Sequence, residues 1–169
     1  VQAETRVTSG RAYDELGAEA GRAGATLIAV GAHGGRRLVG AALGDVATML
    51  LHEAPVSVLL ARPPFDPVAF PWRVVVGLDG SEASMGALAV ADALCRRSGG
   101  DLTVVVATRD DRVELEDVLR RAEPHRVAVE RHRPVEALTR AAAGADLLVV
   151  GSRGVGGVRA LGSVSERVA

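Results

Sequence analysis

"DLLVVGSRGVGGVRALGSVSERVA", residues 146–169, decides what kind of sheet this chain can build. Leu147 to Val150 is an uninterrupted apolar run, the length and composition of a strand buried on both faces. Glycines follow at once, and then Leu161-Gly162-Ser163-Val164-Ser165, a tight loop that opens a helix. Strand, glycine loop and helix in that order are part of a β-α-β unit. They are also a common way to hold phosphate. Glycines let the backbone approach an anion closely, successive N–H groups point inward, and a helix N-terminus adds partial positive charge. Ser163 and Ser165 stand where hydroxyls can donate to phosphate oxygens, and Arg153 and Arg159 supply local positive charge. The alternative is an ordinary loop whose glycines only turn the chain and whose Ser163 only caps the helix.

Working outward, apolar runs alternate with helical patterns along the whole chain. Strands are expected at 1–7, 25–30, 55–61, 73–78, 102–107, 127–131 and 145–150. Helices are expected at 10–22, with Tyr13, Leu16 and Ala20 on one face, and at 45–52, with Val46, Met49 and Leu50 inward. Further helices are expected at 81–97, 113–122 and 135–143, the last capped by Gly144. Strands separated by helices imply parallel pairing and a doubly wound α/β sheet. "RPPFDPVAFP", residues 62–71, has four prolines in ten residues and reads as a linker between units.

There is also an internal repeat. "GATLIAVGAHGG" at 24–35 lies over "GADLLVVGSRGV" at 144–155, and "LGDVATMLL" at 43–51 lies over "LGSVSERVA" at 161–169. The chain therefore reads as the back part of a first unit, residues 1–61, and most of a second, residues 72–169.

Composition narrows the function. The net charge is −1, from 20 basic and 21 acidic residues, which argues against a nucleic-acid binder with a broad basic face. Every basic side chain among the 20 is Arg, so a catalytic Lys and the Lys of a Walker-type phosphate loop are both excluded. Aromatic residues are only 2%, so the core must be made of Val, Leu and Ala. One cysteine, Cys95, shares a helical face with Leu88 and Ala91 and is expected to be a buried structural thiol in a reducing compartment. No apolar stretch approaches the length of a membrane span, and the expected location is the cytoplasm. His33, His52, His125 and His132 are scattered, with no metal-ligand spacing.

A second candidate for ligand binding is "VVVGLDGSEAS", residues 74–84, where Asp79 stands at the carboxyl end of a strand. In open α/β sheets ligands bind beyond the carboxyl ends of the strands, so Asp79 and the 151–165 loop belong on one edge. Asp79 could accept hydrogen bonds from a ribose or an adenine amine, or simply form a turn with Gly80. "SGGD", residues 98–101, resembles the pyrophosphatase loop of adenylating enzymes, but it follows a helix and opens a strand, and so reads as a helix stop.

With Val74-Val75-Val76-Gly77-Leu78-Asp79-Gly80-Ser81, Leu148-Val149-Val150-Gly151-Ser152-Arg153-Gly154 and Leu161-Gly162-Ser163-Val164-Ser165, the sequence resembles the universal stress protein family in its tandem form. The resemblance covers almost the whole chain outside the linker. It implies an open, five-stranded, doubly wound parallel sheet, Rossmann-like and of the adenine nucleotide alpha hydrolase kind, that binds ATP or a related nucleotide, with Mg²⁺ on its phosphates. It implies dimerisation through the last strand, or pairing of tandem domains within one chain; the charge and the lack of an apolar span leave no nucleic-acid or membrane partner expected. The family's motif is Gly-x2-Gly-x9-Gly-Ser/Thr. Carried over, it places Asp79 beside the nucleoside, and the backbone of Val106 and Ala107 at the adenine edge. Gly151, Arg153 and Gly154 fall at the ribose and phosphates, and Gly162, Ser163, Val164 and Ser165 at the phosphates. Seven residues rather than nine separate Gly154 from Gly162, a shortened loop. The first unit keeps the spacing, Gly31-x2-Gly34-x9-Gly44, but Asp45 stands where a hydroxyl is expected, making this the weaker second site despite His33, Arg36 and Arg37 nearby.

The first unit begins at what reads as the third strand of the family's sheet, and the second stops after the loop and helix start. The expectation is that residues precede this piece and that its last strand is lacking. Three functions are open: a nucleotide-binding regulatory module of the stress response, with at most slow ATP hydrolysis and no catalytic residues assigned; a nucleotide-free interaction module; and an adenylating enzyme on a related fold.

Overall fold

Valine runs become parallel strands. The protein is seen here in a computed structural model that describes residues 3–32, 43–62, 70–107, 114–122, 125–152 and 163–169, without the side chains of Glu114, Leu115, Ser163 and Glu166. Two units separate, Val1–Pro63 and Pro64–Ala169.

In the first unit, helix α1 (Ala12–Ala23) leads to strand β1 (Leu27–Gly31), helix α2 (Asp45–Glu53) and strand β2 (Ser57–Ala61). The α1 helix ends because Gly24 adopts φ 59°, a left-handed conformation that costs glycine nothing. Its N–H and that of Ala25 then return to the carbonyls of Gly21 and Ala20, closing a Schellman motif. The strands β1 and β2 pair in parallel, Leu27 opposite Ser57 through Gly31 opposite Ala61. Ala20, Ile28 and Leu50 form their core, with Tyr13 and Leu16 packed against it as the helical spacing predicts. The inward face of α2 differs from expectation: Ala47 and Leu50 are buried, whereas Val46 is exposed. Gly44, not Asp45, occupies the N-cap, and Asp45 is the first helical residue.

The expected strand at 1–7 does not form over its described residues, 3–7. The corresponding strand of the second unit, β5 (Arg126–Glu130), is held by pairing with β4 (Asp101–Ala107). In the first unit β1 and β2 pair only with each other, and neither takes residues 3–7 as a third strand. A strand without a ladder partner leaves its backbone to water.

The second unit also contains β3 (Arg73–Gly77), α3 (Glu82–Ser98), α4 (Glu114–Ala122), α5 (Pro134–Ala142), β6 (Leu147–Val149) and α6 (Ser163–Val168). Its strand order is β5-β4-β3-β6, all parallel. Val74, Val75 and Val76 are all buried because both faces of β3 are covered. Val74, Val76 and Leu78 point to α3, where Leu88, Ala91 and Cys95 meet them in one core. Val75 and Val105 point the other way, to Ala137 and Leu138 of α5, with Val164 and Val168 of α6 at the margin. The sheet is thus doubly wound. The buried Cys95 thiol is pushed upward in pKa, by burial first and by Asp101 second.

One five-stranded sheet is corrected by this arrangement: the described strands make a two-stranded and a four-stranded sheet. In the second unit β6 pairs with β3 on one side, and among the described residues no strand pairs on its other side. Gly144 is not the cap of α5. Ala143 holds that place in right-handed geometry, and Gly144 is not among the glycines with positive φ.

The reading of residues 98–101 as a helix stop holds. Gly99 adopts φ 72° and closes α3 onto the Cys95 carbonyl. Gly100 is needed for a different reason, since a Cβ there would lie 2.5 Å from the Trp72 carbonyl oxygen. That closeness lets Asp101 N–H reach the same oxygen at 2.7 Å and start β4 beside β3. At the same edge Asp146 Oδ2 accepts from Arg73 N–H at 2.7 Å and Trp72 N–H at 3.2 Å, tying the start of β3 to the segment entering β6. Of the expected linker, residues 63–69 lie outside the described residues.

Candidate functional site

The strand order creates the site. From β3 the chain crosses to β4 and on to β5, then returns to β6 on the opposite side of β3. Connections leaving the middle of a sheet in opposite directions part at the carboxyl ends of the strands and open a crevice there. A pocket of about 160 Å³ lies at that point. Its floor and walls come from the ends of β3, β4 and β6 and from the first turns of α3 and α5, with Val164 and Ser165 of α6 completing it.

Its polar corner is built by three neighbouring residues. Ser81 is the N-cap of α3, and its Oγ accepts from Ser84 N–H at 3.2 Å. Gly80, at φ 83°, makes the turn from β3 into that cap. Asp79 Oδ1 accepts from both the hydroxyl of Ser81, at 2.6 Å, and its N–H, at 3.0 Å. Asp79 N–H in turn donates to Ser84 Oγ at 3.3 Å, and that hydroxyl donates to the Ser81 carbonyl at 3.0 Å. Partial burial pushes the Asp79 carboxyl upward, but the two hydrogen bonds from Ser81, helped by the nearby Ser84 hydroxyl and its own N–H dipole, outweigh this and hold it below the usual carboxylate value. Asp79 is therefore ionised at neutral pH.

The opposite walls are apolar: Val105 and Ala107 of β4, Pro134 and Leu138 of α5, and Val150 after β6. Gly77 packs closely against α5: a Cβ there would lie 3.0 Å from Leu138 Cδ2, so that side chain would have to shift by a few tenths of an ångström to admit it. Gly151 has a stronger packing reason. A Cβ on it would lie 2.7 Å from the Ala83 carbonyl carbon and 2.8 Å from Ser84 N, so the chain leaving β6 runs directly against the first turn of α3.

Of the residues expected from sequence, Asp79, Ala107, Gly151, Val164 and Ser165 meet at this pocket, and Ser165 is buried there. The Val106 side chain lies on the other face of the sheet, in the core against α3, because successive strand residues alternate. Arg153, Gly154 and Gly162 lie outside the described residues, as does the side chain of Ser163, whose backbone opens α6. In the first unit Gly31 ends β1, and Gly44 N–H donates to the Ala32 carbonyl at 3.0 Å, so these two ends are brought together. Gly34 lies outside the described residues.

Sequence reading missed Ser81, Ser84, Pro134, Leu138 and Val150 as pocket residues. For the serines a signal existed: Ser84 stands three residues after Ser81, the spacing at which an N-cap hydroxyl reaches the N3 N–H. For the α5 residues there was none, since which helix covers which face follows from the crossover. Among the described residues no group of three His, Cys, Asp or Glu is placed to hold a metal ion.

The chain's relatives agree with this architecture. The universal stress protein family model matches residues 1–62 and 120–169. Universal stress protein Rv2623 of Mycobacterium tuberculosis is 31% identical over an alignment of 172 residues that covers 86% of this chain and 58% of that protein. Universal stress protein MT2698 of the same species, from another strain, matches to the same extent. A crystal structure of a universal stress protein from Archaeoglobus fulgidus superposes with a TM-score of 0.73 at 27% identity, over 92% of this chain and 62% of that one. The chain spans about three-fifths of the length of these relatives. The chain belongs to the universal stress protein family.

Proposed function

We propose that this protein is an ATP-binding regulatory protein of the stress response, with the nucleotide held in the pocket of the second unit. The observation that carries the reading is an ionised Asp79 facing apolar walls at the switch point of the sheet. The chemistry of the donor set suits a nucleoside. Val105, Ala107, Leu138 and Val150 offer flat apolar contact to a base, and Asp79 accepts from an amine or a ribose hydroxyl. An ionised carboxylate repels phosphate, so the phosphates point away from Asp79, toward Ser165 and the segment with Arg153, Gly154, Gly162 and Ser163. Mg²⁺, where bound, would sit on those phosphates. Binding then changes partners or assembly rather than driving turnover. Residues 1–61 and 72–169 are read as tandem copies, and pairing of copies, within or between chains, as the output. The first-unit loop of Gly31, Gly34 and Gly44 is the poorer site because Asp45 opens its helix with the wrong charge for phosphate. The setting is the cytoplasm; among the described residues no helix is long and apolar enough to cross a membrane.

A nucleotide-free interaction module is the second reading. The packing of Gly151 on α3 favours it, since that glycine has a purely structural reason to be there. Equilibrium binding of labelled ATP to the wild type and to Gly154→Val and Ser163→Ala separates the two. The ATP reading expects binding that both substitutions weaken by about tenfold or more. Equal weak binding by all three proteins sinks it.

A further inference from the structure

The Asp79 carboxylate is not held symmetrically. Both hydrogen bonds from Ser81 go to one oxygen, Oδ1, at 2.6 Å and 3.0 Å. Neither of these two bonds engages Oδ2. A serine hydroxyl has one proton to give and lone pairs to accept with. Ser81 gives its proton to Asp79 and takes Ser84 N–H on a lone pair, so both capacities are in use. Ser84 closes the loop by accepting from Asp79 N–H.

We propose that Ser81 is a positioning residue for Asp79, which by engaging Oδ1 leaves Oδ2 as the single acceptor that the carboxylate turns toward a ligand. The inference rests on the reading of the pocket as a nucleotide site. It also narrows the ligand class. A carboxylate with two open oxygens takes a guanidinium in bidentate fashion. One with a single open oxygen, beside apolar walls, suits one neutral donor such as a ribose hydroxyl or an exocyclic amine. Ser81 thereby couples the cap of α3 to the polarity of the pocket: the hydroxyl that starts the helix also aims the acid.

The test separates the two jobs. Ser81→Asp keeps an acceptor for Ser84 N–H, and Asp caps helices about as well as Ser. It has no proton to give at neutral pH and sets a like charge beside Oδ1. Ser81→Ala loses both jobs, and Ser81→Thr keeps both. ATP affinity and the Asp79 carboxyl titration, followed by carbon NMR without ligand, are measured for each. The expected result is about tenfold weaker ATP binding for Ser81→Ala and Ser81→Asp, and a change within about twofold for Ser81→Thr. Ser81→Ala moves the Asp79 titration up toward the ordinary carboxylate value, and the like charge of Ser81→Asp moves it up as well. Wild-type affinity in Ser81→Ala or Ser81→Asp overturns the proposal alone, as does an unmoved Asp79 titration in Ser81→Ala. A wild type that fails to bind ATP overturns the pocket reading, and the ligand-positioning role with it, even where the titration shifts as expected.

Discussion

Replacing Gly151 by Ala tests whether the pocket is assembled by close packing of β6 on α3. The added Cβ would sit 2.7 Å from the Ala83 carbonyl carbon, 2.8 Å from Ser84 N and 2.9 Å from the Ala83 oxygen. Ordinary carbon contacts lie at about 3.5–4.0 Å, so one side must retreat by roughly 0.7 Å. The atoms in the way are backbone, in a helical turn already fixed by the Ser81 cap, and no side-chain rotation relieves them. Overpacking of this kind costs about 1–3 kcal/mol, and three backbone contacts put this case at about 2–3 kcal/mol. For a unit of this size each kcal/mol lowers the melting temperature by about 4 °C, which gives a fall of about 8–12 °C. The assay is thermal melting followed by circular dichroism, without nucleotide. The control is Gly86→Ala, in the same helix, where nothing lies within 4 Å of the added methyl. That change should stabilise by about 0.5–1 kcal/mol, because glycine is a poor helix interior residue. Opposite shifts from the same chemical change are the signature expected. A Gly151→Ala protein that melts with the wild type refutes the packing argument. Unchanged melting with weakened ATP binding would mean that this glycine serves only ligand approach.

Two further outcomes follow from the same geometry. Asp146→Ala removes the acceptor of Arg73 N–H and Trp72 N–H and should cost about 1–2 kcal/mol in urea unfolding, with Asp146→Asn recovering part of it; no loss in the Ala variant contradicts the tie between β3 and β6. The Asp79 carboxyl has a folded pKa below its unfolded value of about 3.9, so the stability it contributes is present above that value and is lost as pH falls through the folded pKa. The stability gap between wild type and Asp79→Asn should therefore be widest near neutral pH and shrink below about pH 4, and a gap that is constant from pH 7 to pH 3 rules the assignment out.

Most of the second unit could be read from the sequence because its signals are redundant. Val74 to Val76 and Val104 to Val106 are apolar without interruption, and only a strand covered on both faces uses such a run. The α3 stop was legible because Gly99 does what only glycine does cheaply there. Reading failed where an outcome depends on a neighbour. The stretch at 1–7 has strand-like alternation, but a strand exists only with an edge to join, and sequence alternation carries no information about that edge. Val46 and Ala47 sit side by side on α2, and the rotation of the helix on β1 and β2, not hydrophobicity, buried the smaller one. The expected cap at Gly144 failed because a right-handed Ala143 served as well. Gly151 was legible as a loop glycine, yet the backbone of α3 that crowds it comes from residues far away in sequence.

The central claim is that a nucleotide lies at the switch point with its nucleoside end at Asp79. Titration of ATP into the isotope-labelled chain, followed by amide chemical shifts, tests it most directly. The account predicts saturable shifts at Asp79, Ser81, Ala107, Gly151 and Ser165, while Arg73, Gly100 and Asp146 at the other edge of the sheet stay still. No saturable shift at the first group, or shifts confined to the second, would contradict it.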